Sequence, residues 1–147
     1  MSIDDDVALL VRVPTLRLLG DGPLRMLAIG SEQRDIARGD HLFYEGDDAD
    51  CGFVVQRGAL RIDNGTGAEI VAGPGTLIGE LALVVAMKRP GNALAVEYTS
   101  VIRISRSLFQ RVLESDPAAA RRLRDDFALR SRQIASDILV AGGKLSG

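Results

Sequence analysis

Apolar positions near the start of the chain come in short bursts at helical spacing. Leu9 and Leu10, then Leu16, Leu18 and Leu19, then Leu24, Met26 and Leu27 are interrupted by Pro14 and by Gly20-Asp21-Gly22-Pro23. This pattern predicts short helices with breaks between about Asp6 and Gly30, with Pro23 in the first turn of the last one. From Gln33 to Ile104 the texture changes to brief apolar runs punctuated by glycine. Candidate strands are Arg34–Ala37, His41–Tyr44, Gly52–Gln56, Ala59–Asp63, Glu69–Ala72, Ala93–Tyr98 and Val101–Ser105. Turn signals separate them, among them Gly46-Asp47-Asp48, Gly58, Asn64-Gly65 and Gly73-Pro74-Gly75. Short strands with turns at near-regular intervals point to an antiparallel sandwich or barrel.

Beyond Ile104 the helical period returns. Ser107 is placed to cap a helix over Leu108–Leu113, and Asp116-Pro117 offers an N-cap followed by proline at the first helical position. A long helix is expected from Pro117 to about Val140, ended by Gly142-Gly143. Leu123, Phe127, Ile134 and Ile138 form one apolar stripe on it, which either packs on the β-domain or pairs with a second copy. The predicted fold is α+β and mainly β. It comprises short N-terminal helices, an antiparallel jelly-roll-like β-roll and a long C-terminal helix. Residues 1–147 are expected to form a single domain with its core at about 14–138.

Composition narrows the function classes. At 147 residues, 46% apolar and 26% charged, the chain can bury an ordinary core, and a net charge of −2 gives no general attraction to nucleic acid or anionic lipid. The acidic N-terminus and the absence of a long apolar run make a cytoplasmic protein without a membrane span the expectation. Cys51 is the single cysteine, so no intrachain disulfide forms, and it is expected to be an inert thiol near a turn. His41 is the single histidine, set beside Leu42 and Phe43 and expected to be structural. One histidine cannot supply a multi-histidine metal site or a nucleophile–histidine triad, so neither metal nor catalysis is expected. Arg121, Arg122, Arg124, Arg130 and Arg132 interleave with Asp125 and Asp126 and read as a solvated helix face.

The candidate chemistry is concentrated in Ile78-Gly79-Glu80-Leu81-Ala82-Leu83 and Arg89. A glycine lets the backbone approach a ligand closely, and amides at the start of a short helix can hold a phosphate. A guanidinium pairs with phosphate oxygens, and a carboxylate accepts a hydroxyl proton. A sugar phosphate satisfies all of these. Taken alone, Glu80 reads as a first-turn acid favouring its helix and Arg89, beside Lys88, as ordinary surface charge.

Two stretches carry a resemblance. Leu42 to Gly58 has an apolar pair, Gly46, an acidic turn, an apolar strand and a closing Gly58, and Gly73 to Leu83 followed by Arg89 looks like a phosphate-binding cassette. In this order of elements the chain resembles the cyclic nucleotide-binding domains of the catabolite activator and kinase regulatory-subunit type. The resemblance implies that Glu80 accepts the ribose 2′-hydroxyl and Arg89 pairs with the exocyclic phosphate oxygens. It also implies that amides at Leu81 and Ala82 face the phosphate and that Gly79 permits close approach. The chain departs from the family at Pro90-Gly91, where proline removes an N–H beside the phosphate, and at Ile134-Ala135-Ser136, where at most Ser136 is left to read a base.

The function this implies is a non-enzymatic receptor for cyclic AMP or cyclic GMP, with no other cofactor. It would signal by movement of the C-terminal helix to a protein effector or a homodimer partner, with no DNA-binding domain of its own. The alternative is a β-roll that binds no ligand and serves as a dimerisation or interaction module.

Overall fold

The computed structural model describes residues 2–63 and 67–130. Three helices come first, α1 (Ile3–Leu10), α2 (Pro14–Arg17) and α3 (Asp21–Gly30). Ser2 caps α1 by accepting from the Asp5 amide at 3.1 Å, and Asp4, Asp5 and Asp6 favour the positive end of that helix. Among the described residues ten strands follow: β1 (Glu32–Ile36), β2 (His41–Phe43), β3 (Asp48–Ala49), β4 (Cys51–Arg57), β5 (Leu60–Asp63), β6 (Glu69–Ala72), β7 (Leu77–Ile78), β8 (Met87–Lys88), β9 (Ala93–Ala95) and β10 (Thr99–Ser105). A single 3₁₀ turn, Glu80–Leu83, separates β7 from β8. Helix α4 (Arg106–Ser115) then leads to α5, helical over 117–130 within the described residues.

All pairings are antiparallel. One sheet has the order β1-β10-β4-β7, the other β2-β9-β5-β6, and β3 pairs with β8 as a separate two-stranded ribbon. The expected α+β fold, mainly β and built as a roll, is therefore observed.

The central strands β4 and β10 are buried on both faces, and the strand period of two sorts their side chains between two cores. Phe53, Val55 and Val101 point between the sheets with Phe43, Leu60 and Ile78. Val54, Ile102 and Ile104 point outward under the helices, where they meet Leu10, Leu16, Leu27, Phe109 and Leu123. This explains why Gly52–Gln56 reads as an unbroken apolar run rather than an alternating one. Each fully buried leucine in these cores contributes about 1.5–3 kcal/mol by leaving water.

The structure corrects several local expectations. Ser105, not Ser107, caps α4, its Oγ accepting from the Leu108 amide at 3.1 Å, because β10 runs directly into the helix. Strand β9 stops at Ala95, and Tyr98 is exposed in the bend before β10. The strands β3, β7 and β8 have two residues each, too few to show any alternation. His41 is exposed and stacks on Tyr44, with ring centroids 4.3 Å apart, instead of sitting in an apolar setting. Asp116 does cap α5, accepting from the Ala119 amide at 3.1 Å. Of the α5 stripe, Leu123 is buried and Phe127 packs against the same helical core, while Ile134 and Ile138 lie outside the described residues, as do Asn64, Gly65 and Ser136.

Candidate functional site

The site begins where β7 ends. Gly79 adopts φ +78°, a left-handed conformation that turns the chain from β7 into the Glu80–Leu83 turn. A side chain here would also collide, since a Cβ would lie 2.6 Å from Arg89 Nη1 and 3.3 Å from the Cys51 carbonyl oxygen. The turn is one 3₁₀ turn long. It has too few aligned peptides to carry a sizeable macrodipole, so any attraction for an anion must come mainly from side-chain charge and individual amides. The Ala82 amide donates to the Gly79 carbonyl at 3.1 Å and is engaged within the turn. The Leu81 side chain is exposed.

Arg89 follows the β3–β8 ribbon, its amide donating to the Asp47 carbonyl at 2.8 Å and its carbonyl accepting from Gly46 at 2.9 Å. This anchoring turns its side chain inward, where only 5% of the residue remains exposed. Nη2 donates to the Cys51 carbonyl at 3.0 Å and to Cys51 Sγ at 3.2 Å. The guanidinium lies 4.5 Å from the Phe43 ring centroid and 5.4 Å from that of Phe53. These rings stabilise a cation through their π faces, by about 0.5–2 kcal/mol each. Burial pushes the Cys51 thiol above its usual pKa, against the opposing pull of Arg89, so the sulfur is neutral at physiological pH. Among the described residues no carboxylate lies within ion-pair distance of Arg89. A buried guanidinium is thus held in place by neutral groups.

Glu80 faces a different set of partners. Its Oε1 accepts from Thr15 Oγ1 of α2 at 3.0 Å and from Arg130 Nη2 of α5 at 2.6 Å. Arg130 is paired further with Asp126 at 2.9 Å, one turn earlier on α5, and lies over the Phe127 ring. The hydrogen bond to Glu80 raises the Arg130 pKa further, so the guanidinium stays charged. A carboxylate has about four lone-pair sites, which leaves capacity on Glu80 for a ligand hydroxyl.

Between Glu80 and Arg89 lies a cavity of about 320 Å³, walled also by Phe43, Ile62, Asp63 and Met87. That size is at the lower end of the range for small-molecule sites. Pro90 and Gly91 line it too. Gly91 has a packing reason: a Cβ there would fall 1.8 Å from the Asp63 carbonyl oxygen. The Asp63 carboxylate accepts from the Asn92 amide and side chain at 3.2 and 3.1 Å, which fixes the Pro90-Gly91-Asn92 loop on β5.

The structure therefore brings Gly79, Glu80, Leu81, Ala82, Arg89 and Pro90 around one cavity. Sequence reasoning did not find Thr15, Arg106 or the aromatic pair Phe43 and Phe53. The arginines of α5 are not simply a solvated face, since Arg122 donates to the Leu18 and Leu19 carbonyls at 2.7 and 3.0 Å and Arg130 reaches Glu80.

A buried cation, a carboxylate nine residues earlier in the sequence and a cavity open to solvent between them are the geometry expected of a sugar-phosphate receptor. The sequence profile of the cyclic nucleotide-binding domain family matches residues 33–116. The chain belongs to that family. It is 30% identical over 108 residues to the cAMP-dependent protein kinase regulatory subunit of Eremothecium gossypii, a match covering 73% of this chain and 24% of that protein. It is 27% identical over 111 residues to lysophospholipase NTE1 of Chaetomium globosum, covering 72% of this chain and 7% of that one. The chain thus spans only a small part of these relatives. Among solved structures, the N-terminal domain of a transcriptional regulator from Streptomyces coelicolor A3(2) superposes with a TM-score of 0.79 at 30% identity, covering 88% and 94% of the two chains. The regulatory domain of Toxoplasma gondii PKA with cAMP superposes at 0.67 and 25% identity, covering 75% of this chain and 44% of that one. This cyclic nucleotide-binding domain shares the β-roll of these neighbours, and among its described residues no helix is long and apolar enough to cross a membrane.

Proposed function

We propose that the domain is a non-catalytic receptor for a cyclic nucleotide, with cyclic AMP the preferred ligand, seated between Glu80 and Arg89. The observation that carries this is Arg89, a guanidinium that is 5% exposed, cradled by two phenyl rings and a carbonyl, and without a carboxylate partner among the described residues. Burying a lone cation costs several kcal/mol unless an anion meets it, and a cyclic phosphodiester carries the single negative charge required. Glu80 then accepts the ribose hydroxyl, and Phe43, Ile62 and Met87 offer the apolar wall that a sugar and base need. Cyclic AMP is preferred because it is the nucleotide in the names of the kinase subunit and of the complexed regulatory domain.

Output follows from Arg130. It ties the hydroxyl acceptor to α5, so a ligand that competes for or reorients Glu80 acts with different affinity on the two positions of that helix. A partner protein or a second copy of the chain reads the helix position. We read it as a cytoplasmic domain whose net charge of −2 gives it no general attraction of its own to DNA or anionic membrane. Calorimetric titration with cyclic AMP and cyclic GMP tests the reading. The wild type binds at least one of them saturably, and Arg89→Ala weakens that binding by at least about a hundredfold, the worth of two charge-assisted hydrogen bonds. A folded wild type that binds neither refutes the receptor and favours a ligand-free interaction module.

A further inference from the structure

The two halves of the anion site lie on separate elements, and one side chain from a third element fastens them together. Arg106 is the first residue of α4. Its Nε donates to the Ala82 carbonyl in the Glu80–Leu83 turn at 2.8 Å, and its Nη2 donates to the Ala49 carbonyl at the end of β3. Its own amide donates to the Asp50 carbonyl at 2.8 Å. Ala49 and Asp50 lead directly into Cys51, the residue whose carbonyl and sulfur aim the Arg89 guanidinium. Arg106 therefore grips the strand connection that places Arg89 and, with the same planar fork, the turn whose Glu80 and Leu81 amides, unlike that of Ala82, are not used within it. Ala49 and Ala82 are both buried, so removing the arginine takes from two poorly exposed carbonyls their side-chain donor.

From this bridge we infer that Arg106 is a positioning residue for phosphate recognition. It sets the separation between Arg89 and the backbone of the Glu80–Leu83 turn, and so how the two exocyclic oxygens of a bound phosphodiester are divided between guanidinium and amides. This rests on the receptor reading given above. A guanidinium suits the task because its donors are held in one plane at a fixed spacing, whereas a lysine ammonium is a compact charge on a flexible stem. A merely structural arginine would, on removal, lower stability and weaken every ligand alike. A positioning arginine governs which oxygen goes where.

The Sp and Rp phosphorothioate analogues of cyclic AMP separate these cases, because each replaces one exocyclic oxygen with a larger sulfur that accepts hydrogen bonds weakly. Titration of the full chain with cyclic AMP and both analogues is the experiment, on wild type, Arg106→Met and Arg106→Lys. The wild type distinguishes the diastereomers by about tenfold or more. Arg106→Met brings that ratio to within about twofold of unity while the protein still unfolds cooperatively. Arg106→Lys, which keeps the charge, gives an intermediate ratio and serves as the deciding variant if Arg106→Met does not fold. A ratio unchanged in the folded variant overturns the inference, as does a wild type that binds both analogues equally. A wild type that binds cyclic AMP but keeps its ratio on substitution refutes the positioning role alone. A wild type that binds no cyclic nucleotide refutes the receptor reading beneath it.

Discussion

Arg89 and Gly79 form a matched pair, and each explains the other. The guanidinium reaches its place over Phe43 and beneath the Cys51 carbonyl only because position 79 has no side chain: a Cβ there would stand 2.6 Å from Nη1. Gly79→Ala therefore meets two obstacles, a left-handed backbone that costs about 1–2 kcal/mol for an L-residue and the displacement of Arg89. Affinity for cyclic nucleotide should fall by at least about tenfold in titrations, with a lower midpoint of denaturant unfolding. An alanine variant that binds as tightly as wild type would show that Arg89 tolerates movement. At this scale the sequence was legible. Glycine, carboxylate and arginine within Gly79–Arg89 are residue types whose chemistry can be read without coordinates, and the structure places them around one cavity. What the residues alone did not reveal was the aromatic cradle. Phe43 and Phe53 read as ordinary strand residues until their rings are seen against the cation.

Among the elements, β4 and β10 carry the architecture. They are paired along their length and divide their side chains between the sheet–sheet core and the helical core. The turn that ends β4 is set by Gly58, at φ +88°, where a Cβ would lie 2.4 Å from the Tyr98 carbonyl oxygen and 2.6 Å from Thr99 Oγ1. Thr99 in turn donates to the Ala59 carbonyl at 3.1 Å, closing the corner between the two sheets. Gly58→Ala should destabilise the domain by on the order of 2 kcal/mol or more, seen as a lower unfolding midpoint in urea with an unchanged m-value. A midpoint equal to that of the wild type would show that the corner can open without cost. The strands of three residues or more are legible as short runs of strand-favouring residues bounded by turn signals, β4 as an unbroken apolar run. The two-residue strands β3, β7 and β8 carry no such signal, although β3 and β8 form the ribbon that places Arg89. The start of α4 is not legible for a related reason: Ser105 and Ser107 are both acceptable caps locally, and only the continuation of β10 decides between them.

Across the whole molecule, the ligand site is joined to everything that could report on it. Thr15 from α2 and Arg130 from α5 meet on one oxygen of Glu80, and Arg106 from α4 holds the same turn by Ala82. These contacts bridge sequence separations of 65, 50 and 24 residues, which is why no local motif announced them. The helices α1, α3, α4 and α5 share a single apolar core, the route by which the proposed movement of Glu80 against Arg130 would reach them. The proposed receptor requires that Arg89 be a cation kept buried for an anionic ligand. Thermal unfolding of wild type and Arg89→Met, each with and without cyclic AMP at about a hundred times the wild-type dissociation constant, tests that claim. Methionine fills the space between the phenyl rings without a charge, and replacing an uncompensated buried ion with an apolar group of similar length is neutral or stabilising. The ligand-free variant should therefore melt at or above the wild-type temperature. The ligand should raise the wild-type midpoint by roughly 10 °C and leave the variant unmoved. Equal ligand-induced shifts in the two proteins, or no shift in the wild type, would contradict it.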